Sequence, residues 1–202
     1  GLRPYQPGKP IEELEREYGV SDIIKLASNE NPLGPSPKAQ EAMHGELRDA
    51  WLYPDGNGFE LKQKLAARHD VAMSQITLGN GSSDVLEFAV RVFVGPGDEV
   101  LFSEHSFALY PLLTQAVGGT SVVAPAKDWG NDLEALEARI SERTRVIFIA
   151  NPNNPTGTWL GGGELETFIQ SVPPEVLVVI DEAYFDYAID PATGATDYPD
   201  TL

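Results

Sequence analysis

The chain reads as an α/β protein, a mainly parallel sheet sandwiched by helices and preceded by an N-terminal arm. Three observations predict this. From Gln75 onward, short apolar segments alternate with amphipathic ones, the pattern of strands joined by crossover helices. Two of the apolar segments, residues 146–150 (VIFIA) and 176–180 (VLVVI), are unbroken, as expected of strands buried on both faces. Residues 1–35, by contrast, are rich in Pro and Gly and poor in apolar side chains. They form an arm that must pack on its own body or on another subunit.

Each element has a local reason. Residues 11–18 form the arm's one helix, with Pro10 at its first turn and Gly19 just past its end. Residues 37–50 and 59–69 read as helices. Residues 75–78 read as a short strand, 83–93 as a helix, 99–102 as a strand, 109–117 as a helix and 121–124 as a strand. Residues 132–141 form a helix with Leu133, Leu136 and Ile140 on one face. Residues 163–171 form the helix between the two apolar strands. Domain organisation follows as arm 1–35 and sheet domain 36–202. Sheets of this kind hold ligands at the carboxyl ends of their strands, so the residues just after each strand are the candidates.

Composition excludes several classes. The 202 residues include 14 Lys plus Arg against 31 Asp plus Glu, a formal charge of −17. Nucleic acid and anionic membrane surfaces need positive patches and are not expected partners. There is no cysteine, which removes disulfides, thiolate catalysis and Cys-ligated metals. No run of 18 apolar residues exists, and Gly1-Leu2-Arg3-Pro4 carries no apolar signal-peptide core. The expectation is soluble, cytoplasmic material, trimmed at a start that lacks an initiator Met. His44, His69 and His105 show no metal spacing, so no metal is expected.

Four segments at strand ends carry chemistry. Gly79-Asn80-Gly81-Ser82-Ser83-Asp84 precedes a helix; its glycines, hydroxyls and free helix N–H groups suit a phosphate, or simply an N-capped helix after a turn. Asn151-Pro152-Asn153-Asn154-Pro155-Thr156-Gly157 is a stiff turn suited to holding an Asn amide in place. Asp181 ends an apolar strand, where a carboxylate needs a cation, a donor cluster or a ligand; a plain capping Asp is the alternative. In Phe107-Ala108-Leu109-Tyr110 either ring can meet a planar ligand or serve as core.

Taken together, the phosphate loop, the aromatic, Asn-Pro-Thr-Gly and Asp-Glu-Ala-Tyr resemble, in order and spacing, the fold-type I pyridoxal-phosphate aminotransferases. Leu2-Arg3-Pro4-Tyr5-Gln6-Pro7-Gly8, Leu26-Ala27-Ser28-Asn29-Glu30-Asn31-Pro32-Leu33-Gly34 and Tyr53-Pro54-Asp55 resemble the histidinol-phosphate aminotransferases within that group. The resemblance implies pyridoxal 5'-phosphate as cofactor and a homodimer. It implies amino transfer between a phosphate-bearing imidazole amine and 2-oxoglutarate, a step of histidine biosynthesis. It assigns Asp181 to the pyridine nitrogen, Tyr184 and Asn154 to the ring's 3-oxygen, and Phe107 to stacking on the ring. Gly81, Ser82 and Ser83 fall to the cofactor phosphate, Tyr53 to the partner subunit's cofactor phosphate and Tyr5 to the substrate phosphate. Relatives acting on aromatic amino acids or decarboxylating phosphothreonine share these motifs, and a non-catalytic module on the same scaffold is a further alternative.

The resemblance also implies a lysine in a Ser-Lys context a few tens of residues beyond the Asp-x-x-Tyr segment, which binds the cofactor covalently and moves a proton. Lys9, Lys25, Lys38, Lys62, Lys64 and Lys127 do not match it. The 202 residues are therefore expected to be the first part of such an enzyme, with the remainder of the large domain and a small C-terminal domain elsewhere, and to be inactive by themselves.

Overall fold

Alternating side chains of one central strand divide the fold into two cores. In the computed structural model, which describes residues 8–189, 198–199 and 201–202, that strand is β3 (Thr144–Ala150). Val146, Phe148 and Ala150 point to one face of the sheet and Ile147 and Ile149 to the other, the period-2 geometry of any strand. The sheet has four parallel strands in the order β2–β1–β3–β4, with β1 at Glu99–Ser103, β2 at Thr120–Ala124 and β4 at Leu177–Asp181.

Helices α4 (Gly81–Phe93) and α5 (Leu109–Ala116) cover the first face, where Leu86, Val90, Tyr110 and Leu113 meet Val100, Phe102 and Phe148. Helices α6 (Leu133–Glu137) and α7 (Gly162–Ser171) cover the second, where Leu136, Leu165 and Phe168 meet Leu101, Ile147 and Ile149. Each large apolar side chain so buried contributes about 1.5–3 kcal/mol. The crossover from β1 to β2 uses one face and those from β2 to β3 and from β3 to β4 use the other. The switch point therefore lies between β1 and β3, and their carboxyl ends frame the crevice that such a reversal leaves.

Residues Ser74–Leu202 and Gln6–Met73 fall into separate compact units. The second contains α1 (Ile11–Tyr18), closed by Gly19 at φ 63°. It also contains α2 (Pro37–Glu46), capped by Ser36 accepting from the Ala39 amide at 3.1 Å, and α3 (Phe59–His69). Asp55 accepts the Asn57 and Phe59 amides before α3. None of these three helices buries a residue, and Trp51, Tyr53, Leu26 and Leu33 stand exposed.

Three expectations need correction. Residues 75–78 form no strand; a 3₁₀ turn at Met73–Gln75 precedes them. Ile76 and Leu78 are half-buried and Thr77 and Gly79 exposed, so the alternation is real, but no described strand runs alongside to complete a ladder. The helix expected at 132–141 stops after Glu137, and Ile140 packs on the second core from the following turn. Strand β4 is only half-buried along Leu177–Ile180 because it is an edge of the described sheet.

At the opposite end from the crevice, Glu99 staples β1 to β3. Its carboxylate is 5% exposed and accepts from Ser141 Oγ at 2.6 Å and Arg143 Nε at 2.9 Å, both in the turn leading into β3. Those bonds, the Ser141 hydroxyl first, hold its pKa below the ordinary carboxylate value. A depressed folded-state pKa gives stability that is full above the unfolded value, about 4.3, and is lost as pH falls through the folded value. Glu99→Gln should therefore lower the unfolding free energy by about 1–2 kcal/mol at pH 7. Denaturant titrations should show the gap closing below about pH 4. A gap independent of pH contradicts the staple.

Candidate active site

The carboxyl ends of β1, β3 and β4 carry a concentration of buried polar groups, Ser103, Asn151, Asn153 and Asp181 among them. Asp181 is the last residue of β4, paired in register with Ala150, and is 9% exposed. Its main-chain oxygen accepts the Asn151 amide at 3.0 Å. Its Oδ2 accepts from the Tyr110 hydroxyl at 2.9 Å and its Oδ1 from the Ala183 amide at 3.2 Å. Among the described residues no cation pairs with it. A buried carboxylate holding two donors against about four lone-pair sites has capacity left for a positively charged N–H.

Tyr110 is fully buried at the start of α5, its ring stacked on Phe148 at 4.6 Å and 12°. Burial, with the Asp181 charge adding to it, pushes its phenol far above the ordinary tyrosine value, so it stays a donor. Of the two rings that the sequence offers to a planar ligand, Tyr110 is thus committed to the core. Phe107 is half-buried and meets Tyr110 edge-on at 5.8 Å.

The loop after β3 is built on two asparagines that sequence reasoning did not single out. Fully buried Asn151 exchanges hydrogen bonds with the Leu160 main chain, accepting its amide at 2.8 Å. Asn153 donates to His105 O at 3.1 Å and Thr156 Oγ1 at 2.7 Å. Asn151–Pro152 and Asn154–Pro155 are both cis. Asn154, half-buried, and Tyr184 stand on the loops that leave the adjacent ends of β3 and β4. The Tyr198 hydroxyl lies within hydrogen-bond reach of Asn151 O and, at 2.8 Å, of Glu182 Oε1, and so joins those loops. Three buried polar atoms at this edge, Ser103 Oγ, Asn131 Oδ1 and Asn153 Oδ1, have no hydrogen-bond partner among the described residues.

Helix α4 leads through a short turn into the start of β1 and so runs antiparallel to it. At about 1.5 Å per residue the helix is slightly longer than the strand it covers, which rises about 3.3 Å per residue, so its first turn lies toward the carboxyl edge. Gly81, Ser82 and Ser83 are exposed there with no side-chain cap, leaving free N–H groups for an anion. Asp84 instead accepts the Asn80 amide at 2.8 Å. Gly81 has φ 75°, and a Cβ on Gly79 would meet Asp84 Cβ at 2.8 Å. This cradle fits a phosphate and the Asp181 carboxylate fits a protonated ring nitrogen, the donor set that the sequence resemblance calls for.

Tyr53 is fully exposed in the unit Gln6–Met73, and Tyr5 lies outside the described residues. No helix among the described residues is long and apolar enough to cross a membrane.

The family described as aminotransferase class I and II matches residues 21–202. Histidinol-phosphate aminotransferase 1 of Nitrosococcus oceani is 59% identical over 187 residues, covering 93% of this chain and 50% of that protein. Histidinol-phosphate aminotransferase 2 of Pseudomonas fluorescens is 57% identical over the whole chain and 54% of its own length. The crystal structure of the Sinorhizobium meliloti histidinol-phosphate aminotransferase in complex with pyridoxal-5'-phosphate superposes with a TM-score of 0.84. It is 30% identical, over 95% of this chain and 52% of that one. The chain spans about half the length of the curated relatives it matches.

The packing at Gly79 makes a direct prediction. Gly79→Ala should cost about 1–3 kcal/mol and speed amide exchange at Asn80 and through the first turn of α4, read by hydrogen–deuterium exchange. Unchanged protection there contradicts the cradle geometry.

Proposed function

The chain belongs to the class I and II aminotransferases, and from that premise we propose that the protein moves an amino group between histidinol phosphate and 2-oxoglutarate with pyridoxal 5'-phosphate as cofactor. The observation that carries the cofactor reading is Asp181, a buried carboxylate at a strand end with acceptor capacity to spare and no cation of its own among the described residues. The substrate reading rests on relatives of 53–59% identity that bear that enzyme's name.

Asp181 accepts from the ring nitrogen and keeps it protonated. The cofactor supplies a ring that takes up the electrons left when the substrate's Cα proton departs. Phe107 covers one ring face, Asn154 and Tyr184 hold the 3-oxygen, and the amides and hydroxyls at Gly81, Ser82 and Ser83 hold the phosphate. Tyr53 reaches the partner subunit's cofactor phosphate in a homodimer, and Tyr5 the substrate phosphate. Residues 1–35 are the arm and 36–202 part of the large cofactor-binding domain of a cytoplasmic enzyme of histidine biosynthesis.

In the complete protein, Asp181→Asn keeps an acceptor for Tyr110 and removes only the charge. Turnover of histidinol phosphate with 2-oxoglutarate should fall about a hundredfold or more with the thermal midpoint nearly unchanged. Near-normal turnover refutes the role of Asp181, and faster turnover of phenylalanine than of histidinol phosphate refutes the substrate.

A further inference from the structure

We propose that Tyr110 is the positioning residue of Asp181, fixing the orientation of that carboxylate toward the ring nitrogen. The proposal rests on the pyridoxal-phosphate reading above and adds to it a residue that touches neither cofactor nor substrate. Three rings immobilise the phenol: Phe148 stacked at 4.6 Å, Phe107 edge-on at 5.8 Å and Phe102 tilted at 6.0 Å. Its own backbone is tied down as well, the Tyr110 amide donating to Phe107 O at 3.1 Å and Thr114 Oγ1 donating to Tyr110 O at 2.8 Å. A ring so held can aim its hydroxyl in few directions, and the acceptor it meets, 71 residues along the chain, is Asp181 Oδ2.

The chemistry of the pair has a definite direction. A hydrogen bond donated to a carboxylate stabilises the charged form. The Tyr110 hydroxyl engages Oδ2 at 2.9 Å and so fixes which lone pairs of the carboxylate are left for a protonated ring nitrogen. Glu182 on the same loop and Tyr198, bonded to Glu182, bring no positive charge to the carboxylate. Phe107 touches the same phenol, so one residue sets the relative placement of the stacking ring and the acid.

The test uses the complete protein with Tyr110→Phe, which keeps ring and volume, and with 3-fluorotyrosine at position 110, a stronger donor of nearly the same shape. In the cofactor-free protein, the ¹³Cγ signal of Asp181 at neutral pH should move in opposite directions in the two variants. After loading with ¹⁵N-labelled pyridoxal phosphate, the ring-nitrogen signal in Tyr110→Phe should move toward the unprotonated position, and turnover should fall about tenfold. Signals of Asp181 that are unmoved, or that move alike in both variants, overturn the proposal, since a purely structural role has no dependence on donor strength. If the protein takes up no pyridoxal phosphate, the functional reading fails, while the cofactor-free signals still decide the role of Tyr110.

Discussion

A buried carboxylate at the carboxyl end of an edge strand is the constraint around which this site is arranged. Asp181 is 9% exposed at the end of β4, and leaving it without partners there would cost several kcal/mol. Tyr110 and the Ala183 amide meet part of that demand. The aromatic packing of Phe102, Phe107 and Phe148 around Tyr110 exists in the same core that joins α4 and α5 to the sheet. The acid is thus supported by the fold's main hydrophobic cluster, and a substitution in that cluster acts on the site as well as on stability.

The reversal of strand order supplies the second half of the arrangement. Because the crossovers switch faces between β1 and β3, the loops after β1, β3 and β4 gather at one edge of the sheet, and α4 brings its uncapped first turn to the same edge. Uncapped helix amides and a buried acid so arrive on one side of the sheet without any local sequence adjacency. The net charge of −17 does not describe this edge, since fixed N–H groups act over a few ångströms.

Much of this was legible in the sequence. The unbroken run 146–150 announced a strand buried on both faces, and β3 is one. Glycine and proline at the right flanks placed α1, and its bounds agree with the expected residues. Residues 75–78 misled because alternation records which faces are buried, while a strand also needs a neighbour that local pattern cannot show. Asp181 and the glycine loop stood out by their place at strand ends, whereas Asn154 and Tyr184 were singled out by the family resemblance. The Tyr110 hydroxyl bond did not, because its partner is 71 residues away and the sequence left its ring equal to that of Phe107. Nor did Asn151 and Asn153, whose work is to bond the loop to itself and to its neighbours.

The unit Gln6–Met73 shows the complementary case. Its helices form from local signals, the Ser36 cap and the Gly19 stop among them, yet none of the three buries a residue. The most direct test is a crystal structure of the complete protein with pyridoxal phosphate bound. The ring nitrogen is expected within hydrogen-bond distance of Asp181, with Tyr110 still donating to the same carboxylate and the phosphate on the amides of residues 81–83. A cofactor seated away from the carboxyl ends of β3 and β4, or turned so that its nitrogen misses Asp181, would contradict this placement.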